Sequence, residues 1–252
     1  LNGADWVLER IACGLPVDAA AIGAMGVGGL LKEIPSRPAP RAGGAEAPRR
    51  PFVSVALLAS GASTRMGGRD KLLEDVNGAP LLRRAAEAAA ASRADETLVI
   101  LPPDAEARRA ALAGLDARIV ENRSAAEGMA ASIRAATAAA DPKADALIVA
   151  LADMPEIGPA HLDALMAAFD PGEGRAICRA ATADGRPGHP VLFGRRFFEA
   201  LARLEGDRGA RDLLAENADL VELVPTPGEG AAIDLDTPKA WAAWREARQR
   251  GI

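Results

Sequence analysis

Residues 52–71 read Phe-Val-Ser-Val-Ala-Leu-Leu-Ala-Ser-Gly-Ala-Ser-Thr-Arg-Met-Gly-Gly-Arg-Asp-Lys, and this stretch decides the fold. Residues 52–59 form a short apolar run rich in Val and Leu. A run without polar alternation predicts a strand buried on both faces of a parallel sheet. The loop 61–71 follows at once, carrying three glycines, Arg65 and Lys71. Glycine lets backbone N–H groups approach an anion closely. Arg grips two phosphate oxygens at once, and Lys adds a compact charge. The loop lacks the Gly-Lys-Ser/Thr ending of a P-loop, and Ser63 stands where a dinucleotide turn has its second Gly. It reads as a cradle for phosphates.

Outward from this loop the chain alternates. Strands are predicted at 96–101, 117–120, 146–152, 176–181, 190–193 and 220–224. Helices are predicted at 80–92, 105–112, 125–140, 159–169, 195–204 and 207–217. A last helix opens on Thr237-Pro238, with Thr as N-cap and Pro at the first helical position. The alternation implies a three-layer α/β, Rossmann-like fold with a mainly parallel sheet. Ligands in such sheets bind beyond the carboxyl ends of the strands.

Composition narrows the function. The 252 residues are 49% hydrophobic and 26% charged, enough for a sizeable core. The net charge of −5, aromatic content of 3% and absence of Tyr argue against a nucleic-acid partner. Cys13 and Cys178 match no metal spacing and read as free thiols. No apolar run approaches the ~18 residues of a membrane span, and no signal peptide is evident. A cytoplasmic protein without a membrane partner is expected.

Residues 35–51 contain five prolines and two glycines and read as a linker. They separate a head, 1–34, from a main domain, 52–252. Asp153 ends a predicted strand, where a carboxylate reaches the cleft mouth. Asp234 and Asp236 are two apart, a spacing that turns both toward one side of an extended segment. Asp234 is taken as a metal ligand and Asp236 as a helix-start residue. His161, in the first turn of its helix, is expected at the surface. Trp241 and Trp244, three apart, are expected to dock their helix.

The segment 57–82 resembles the signature of the MobA-like nucleotidyltransferases, whose usual form is LAxGxSxRMGxxKxxLxxxGxPLL. It is most similar to the molybdenum cofactor cytidylyltransferases. Supporting segments are Glu127-Gly128-Met129 with Ser132, Ala152-Asp153-Met154-Pro155, Pro187-Gly188-His189-Pro190 and Asp234-Leu235-Asp236-Thr237-Pro238, joined by Gly206-Asp207-Arg208-Gly209-Ala210-Arg211. Residues 1–34 resemble the end of a fused molybdopterin-binding domain, with an N-terminal helical appendage as the other reading.

The resemblance implies Mg2+-dependent transfer of CMP from CTP to the terminal phosphate of molybdopterin cofactor, with a molybdoenzyme as a further partner. Arg65, Lys71 and Asp153 would be catalytic. Leu58, Ala59, Ser60, Gly61, Ser63, Met66, Gly67, Lys71, Asn122, Gly128 and Ser132 would bind nucleotide. Asp153 and Asp234 would hold the metal, and Arg186, Gly188 and His189 would receive the acceptor, with Arg179 a further candidate. Relatives that use CTP carry Ala-Ala-Gly after the first strand, and those that use GTP carry Ala-Gly-Gly. Ala59-Ser60-Gly61 leaves guanylyl transfer open, as it leaves a nucleotidyl- or glycosyltransferase acting on another phosphorylated small molecule.

Overall fold

A computed structural model describes residues 49–250. The expectations for 1–34, for Cys13 and for most of the 35–51 linker lie outside these residues. In chain order come β1 (Val53–Leu58), β2 (Asp75–Val76), β3 (Ala79–Pro80), α1 (Leu81–Ala90), β4 (Glu96–Leu101), α2 (Glu106–Ala111), β5 (Arg118–Glu121), α3 (Met129–Ala139) and β6 (Ala146–Leu151). Then follow α4 (Pro159–Ala168), β7 (Ile177–Ala181), β8 (Pro187–Gly194), α5 (Phe198–Ala202), α6 (Arg211–Glu216), β9 (Val221–Pro225) and α7 (Pro238–Gln249).

Seven strands form one sheet in the order β5-β4-β1-β6-β8-β7-β9. β1 pairs in parallel with β4 on one side and with β6 on the other. The chain therefore moves outward from β1 in one direction and returns to build the other half. That reversal opens a crevice beyond the carboxyl ends of β1 and β6, and residues 59–71 and Asp153 leave the strands at this crevice.

The three-layer α/β fold expected from the sequence is the one observed, with a local difference. β8 spans Pro187–Gly194, longer than expected, and runs antiparallel to β6 and β7. Only residues 182–186 join β7 to β8, too few for the crossover that parallel strands require. The predicted helix 125–140 is interrupted, because Gly128 at φ 98° separates a 3-10 turn from α3. The predicted helix 207–217 is α-helical only over Arg211–Glu216.

The sheet is apolar on both faces, as its continuous apolar strands require. Val55, Leu57, Val99, Ile148 and Cys178 pack on one face against α1 and α4. Ala56, Leu98, Leu147, Val191 and Phe193 pack on the other against α3, α5 and α6. The Cys178 thiol is buried, and burial, then Glu222, pushes its pKa up to about 12. It stays protonated. No helix of the described residues is long and apolar enough to cross a membrane.

A satellite cluster joins the loop after β1 to α7. Met66, Val76 and Leu81 pack with Leu235, Trp241 and Trp244. Thr237 caps α7 by accepting from the Ala240 amide at 3.2 Å, and Pro238 takes the first position, as expected. Trp244 donates to Glu156 at 2.8 Å. His161 departs from expectation: it is buried, not at the surface. Its Nδ1 accepts from the Gly158 amide and its Nε2 lies 3.0 Å from the Pro227 carbonyl. The ring closes the start of α4, where Gly158 has no side chain to do so.

Candidate active site

The loop after β1 is held from within and from below. Ser63 sits at φ 52°, a left-handed conformation uncommon outside glycine. Its hydroxyl donates to Asp70 and accepts from the Lys71 amide, each at 3.2 Å, which fixes the bend. Asp70 also accepts from the Leu72 amide at 3.0 Å. Arg108, buried on α2, donates to Asp70 at 2.6 and 2.9 Å and to the carbonyls of Ala59 and Gly61 at 2.6 and 2.8 Å. One guanidinium thus ties the end of β1 to the far end of the loop. Burial pushes the Asp70 carboxyl up, but Arg108 outweighs it and holds it below the usual carboxylate range. The sequence reading passed over Arg108, which stands in an unremarkable helical segment. Asp70, next to Lys71, was visible there but unassigned.

Lys71 leaves this loop at the cleft mouth. Its ammonium donates to Asp153 and, at 2.5 Å, to Asp236. Burial alone would lower its pKa, yet the two carboxylates raise it above the ordinary value. Arg65 donates to the same Asp236. Asp236 is therefore not the helix-start residue expected: Thr237 caps α7, and Asp236 faces the two cations. They hold its carboxyl below the usual range against the upward push of burial. Asp234 shows the opposite shift, raised by burial and then by Asp236 and Asp153.

The cleft encloses about 840 Å³. Of the expected residues, Leu58, Ala59, Ser60, Gly61, Lys71, Gly128, Ser132, Asp153 and Asp234 line it together, and Asp236 joins them. The Ser60 hydroxyl donates to the Ile100 carbonyl at 3.1 Å. Asn122 lies behind the wall, donating to Ser132 at 3.1 Å. Asp104, Glu106 and Asp207 also line the cleft, without having been anticipated. A Cβ on Gly128 would meet the Asp207 backbone at 2.9 Å, so Gly lets the two walls approach.

Other expected residues are not brought to the wall. Arg65, Ser63 and Gly67 lie on the loop after β1. The Met66 side chain is 1% exposed and belongs to the satellite cluster. Arg186 is held by Asp184 and Glu229 and is largely in solvent. A Cβ on Gly188 would lie 1.8 Å from the Ala231 carbonyl, which gives this glycine a packing role. His189 is mostly buried, with Nδ1 lacking a hydrogen-bond partner. Burial, then the charge of Arg179, pushes its pKa down to about 4 against the pull of Asp153 and the Val149 backbone.

The donor set fits a hard divalent cation. Asp153 Oδ1 is buried without a partner, and Asp234 is crowded by the other two carboxylates. Such cations take oxygen ligands and share them with phosphates. Among the described residues no group of three His, Cys, Asp or Glu side chains forms a complete metal site.

The chain is similar to several known proteins. The chain is 32% identical over 192 residues to nicotine blue oxidoreductase of Paenarthrobacter nicotinovorans, covering 74% of this chain and 93% of that one. The crystal structure of Rv0371c from Mycobacterium tuberculosis superimposes with a TM-score of 0.68 at 30% identity, covering 79% of this chain and 100% of that one. A manganese complex of Rv0371c matches with a TM-score of 0.61 at 28% identity, over 78% and 99% of the two chains. Residues 55–221 match the MobA-like NTP transferase domain. This match spans most of β1, all of β2 to β8, the loop 61–71 and Asp153, and the chain belongs to that family.

Proposed function

We propose that this chain transfers CMP from CTP to the terminal phosphate of molybdopterin cofactor and releases pyrophosphate, in a reaction that depends on Mg2+. The observation that carries the reading is Lys71, held between Asp153 and Asp236 at the mouth of a cleft walled by a glycine-containing loop. In the reaction an acceptor phosphate oxygen attacks the α-phosphorus in line. A new P–O bond forms, the bond from the α-phosphorus to the bridging oxygen breaks, and pyrophosphate leaves with that electron pair.

Positioning and charge neutralisation carry such a reaction. Backbone N–H groups of 61–67 line the path of the triphosphate. Arg65 and Lys71 then turn from their carboxylates toward the phosphates and offset the charge that grows on the leaving group. Asp153 and Asp234 would hold the divalent ion, which would supply charge neutralisation at the phosphates. Ser60, with its hydroxyl bonded to the Ile100 carbonyl, fills the position at which CTP-using relatives carry Ala. The manganese complex of Rv0371c supports a divalent ion here, with Mg2+ as the proposed one.

Pyrophosphate release is assayed with molybdopterin cofactor, Mg2+ and each of CTP, GTP, ATP and UTP. Release with CTP is expected. Release with GTP in its place would move the acceptor reaction to guanylyl transfer. Silence with all four would overturn the reading. A second reading, oxidation or reduction of an aromatic substrate, is favoured only by the name of the 32%-identical relative. Turnover of a nicotinamide cofactor without pyrophosphate release would establish it instead.

A further inference from the structure

Arg108 reaches the loop after β1 from the wall of the cleft. Its helix, α2, follows β4, and residues 104–108 line the cleft. Ala59 and Gly61 line it from the near end of the loop, Asp70 and Lys71 from the far end. Arg108 is buried, at 6% exposure, and its guanidinium meets both ends. Nε and Nη2 donate to the Asp70 carboxylate at 2.6 and 2.9 Å. Nη1 donates to the Ala59 carbonyl at 2.6 Å, and Nη2 also to the Gly61 carbonyl at 2.8 Å. An ammonium could pair with Asp70, but only the planar fork spans the carboxylate and both carbonyls together.

Asp70 passes this position on. Its Oδ1 accepts from the Ser63 hydroxyl at 3.2 Å and from the Leu72 amide at 3.0 Å. The Ser63 oxygen in turn accepts from the Lys71 amide at 3.2 Å. The carboxylate that Arg108 grips therefore holds the left-handed bend at Ser63 and caps the 3-10 turn Lys71–Leu73. Lys71 opens that turn, and its ammonium bonds Asp153 and Asp236. The reach from the Lys71 backbone to Nζ is limited, so the place of the backbone decides which oxygens the charge can meet. A displacement of about 1 Å at such a group costs roughly 10²-fold in rate.

We propose that Arg108, acting through Asp70 and Ser63, is the positioning residue for Lys71 and for the amides of the loop. The triphosphate as the ligand so positioned rests on the nucleotidyltransferase reading. Arg108 touches no reacting atom in this account: its four hydrogen bonds all end inside the protein.

The test separates position from stability. Inorganic tripolyphosphate is titrated calorimetrically into the full chain without divalent metal, at a temperature where circular dichroism shows each variant folded. Wild type is expected to bind it. Arg108→Lys, which keeps the charge and loses the fork, and Asp70→Asn are each expected to weaken binding at least tenfold, roughly the weight of one misplaced charged hydrogen bond. The control is Arg109→Gln on the same helix, whose guanidinium pairs with Glu121 at 3.4 Å outside the cleft; it is expected to bind as wild type does. The decisive variant is Arg108→Met with Asp70→Asn, which leaves no buried charge unpaired. It is expected to regain stability over Arg108→Met alone without regaining affinity, and in turnover its CTP KM rises while its acceptor KM does not. Affinity that returns with stability, or that stays at the wild-type value in Arg108→Lys and Asp70→Asn, would overturn the positioning role. Failure of the nucleotidyltransferase reading shows differently: wild type then binds no tripolyphosphate, and the role of Arg108 falls with it.

Discussion

The Leu235 amide donates to the Asp153 carbonyl at 3.1 Å. This bond joins two segments separated by 82 positions in the sequence and sets their carboxylates around Lys71. Asp153 arrives on the turn after β6, and Asp234 and Asp236 arrive on either side of Leu235, whose own side chain is buried against Trp241 and Met66. The acidic side of the site is thus assembled by backbone and packing, and its charges are balanced by the loop they face.

Removing either side of that balance should stop the chemistry without unfolding the chain. Lys71→Ala and Asp153→Asn are each expected to lower CTP-dependent pyrophosphate release by 10²–10³-fold, or about 2.7–4 kcal/mol of barrier. Circular dichroism and a urea transition close to wild type would accompany the loss. Turnover near wild type in either variant would remove these residues from the mechanism.

Arg108→Met should act on stability as well as on activity. It removes the shared donor of the buried Ala59 carbonyl, the Gly61 carbonyl and the part-buried Asp70 carboxylate. Breaking a buried pair from one side costs about 3–5 kcal/mol. The double variant with Asp70→Asn should recover part of that loss, since no charge is then left unpaired. Urea unfolding of the two variants measures the difference, and equal midpoints would contradict it.

Met66→Ala tests the link between the satellite cluster and the loop. Truncating a fully buried Met typically costs about 2–5 kcal/mol. Because Met66 anchors the loop onto Leu81 and Trp241, the CTP KM should rise with kcat little changed. A stability loss with unaltered KM would confine Met66 to the core.

His189 gives stability a defined pH dependence. Its pKa is about 4 in the folded chain and 6.5 in the unfolded one. Between these values the unfolded state binds the extra proton, so stability falls as pH drops through that window. The full shift corresponds to about 3 kcal/mol. The difference in unfolding free energy between wild type and His189→Gln, measured at pH 7 and at pH 4, should narrow or reverse by that order. A difference that does not change with pH would contradict the depressed pKa.

The layers of the fold were legible because buried strands and amphipathic helices have local signatures. Glu96–Leu101 ends in the apolar run Leu98–Leu101 in the sequence and is a strand with the expected bounds in the structure. The antiparallel β8 was not legible, since strand direction depends on the length of a connection and not on the strand's own residues. That the start of the loop 61–71, Lys71 and Asp153 meet at one cleft was readable, because unusual residues follow strands directly. Asp236 was misread because its position before Thr237-Pro238 suits a helix start equally well, and only the arrival of Lys71 from a distant loop decides between the two. Arg108 left no trace in the sequence: its partners are carbonyls and a carboxylate brought together by the sheet. His161 looked like a surface residue because the Pro227 segment that covers it lies 66 positions away.

The most direct test of the central claim follows the label rather than the rate. The chain is incubated with Mg2+, molybdopterin cofactor and CTP carrying ³²P either at the α- or at the γ-position. The account predicts that the α-label appears on the cofactor and the γ-label in pyrophosphate, and that Asp153→Asn slows both by roughly the same 10²–10³-fold. An α-label recovered only in CTP, or in free CMP with no labelled cofactor, would contradict it.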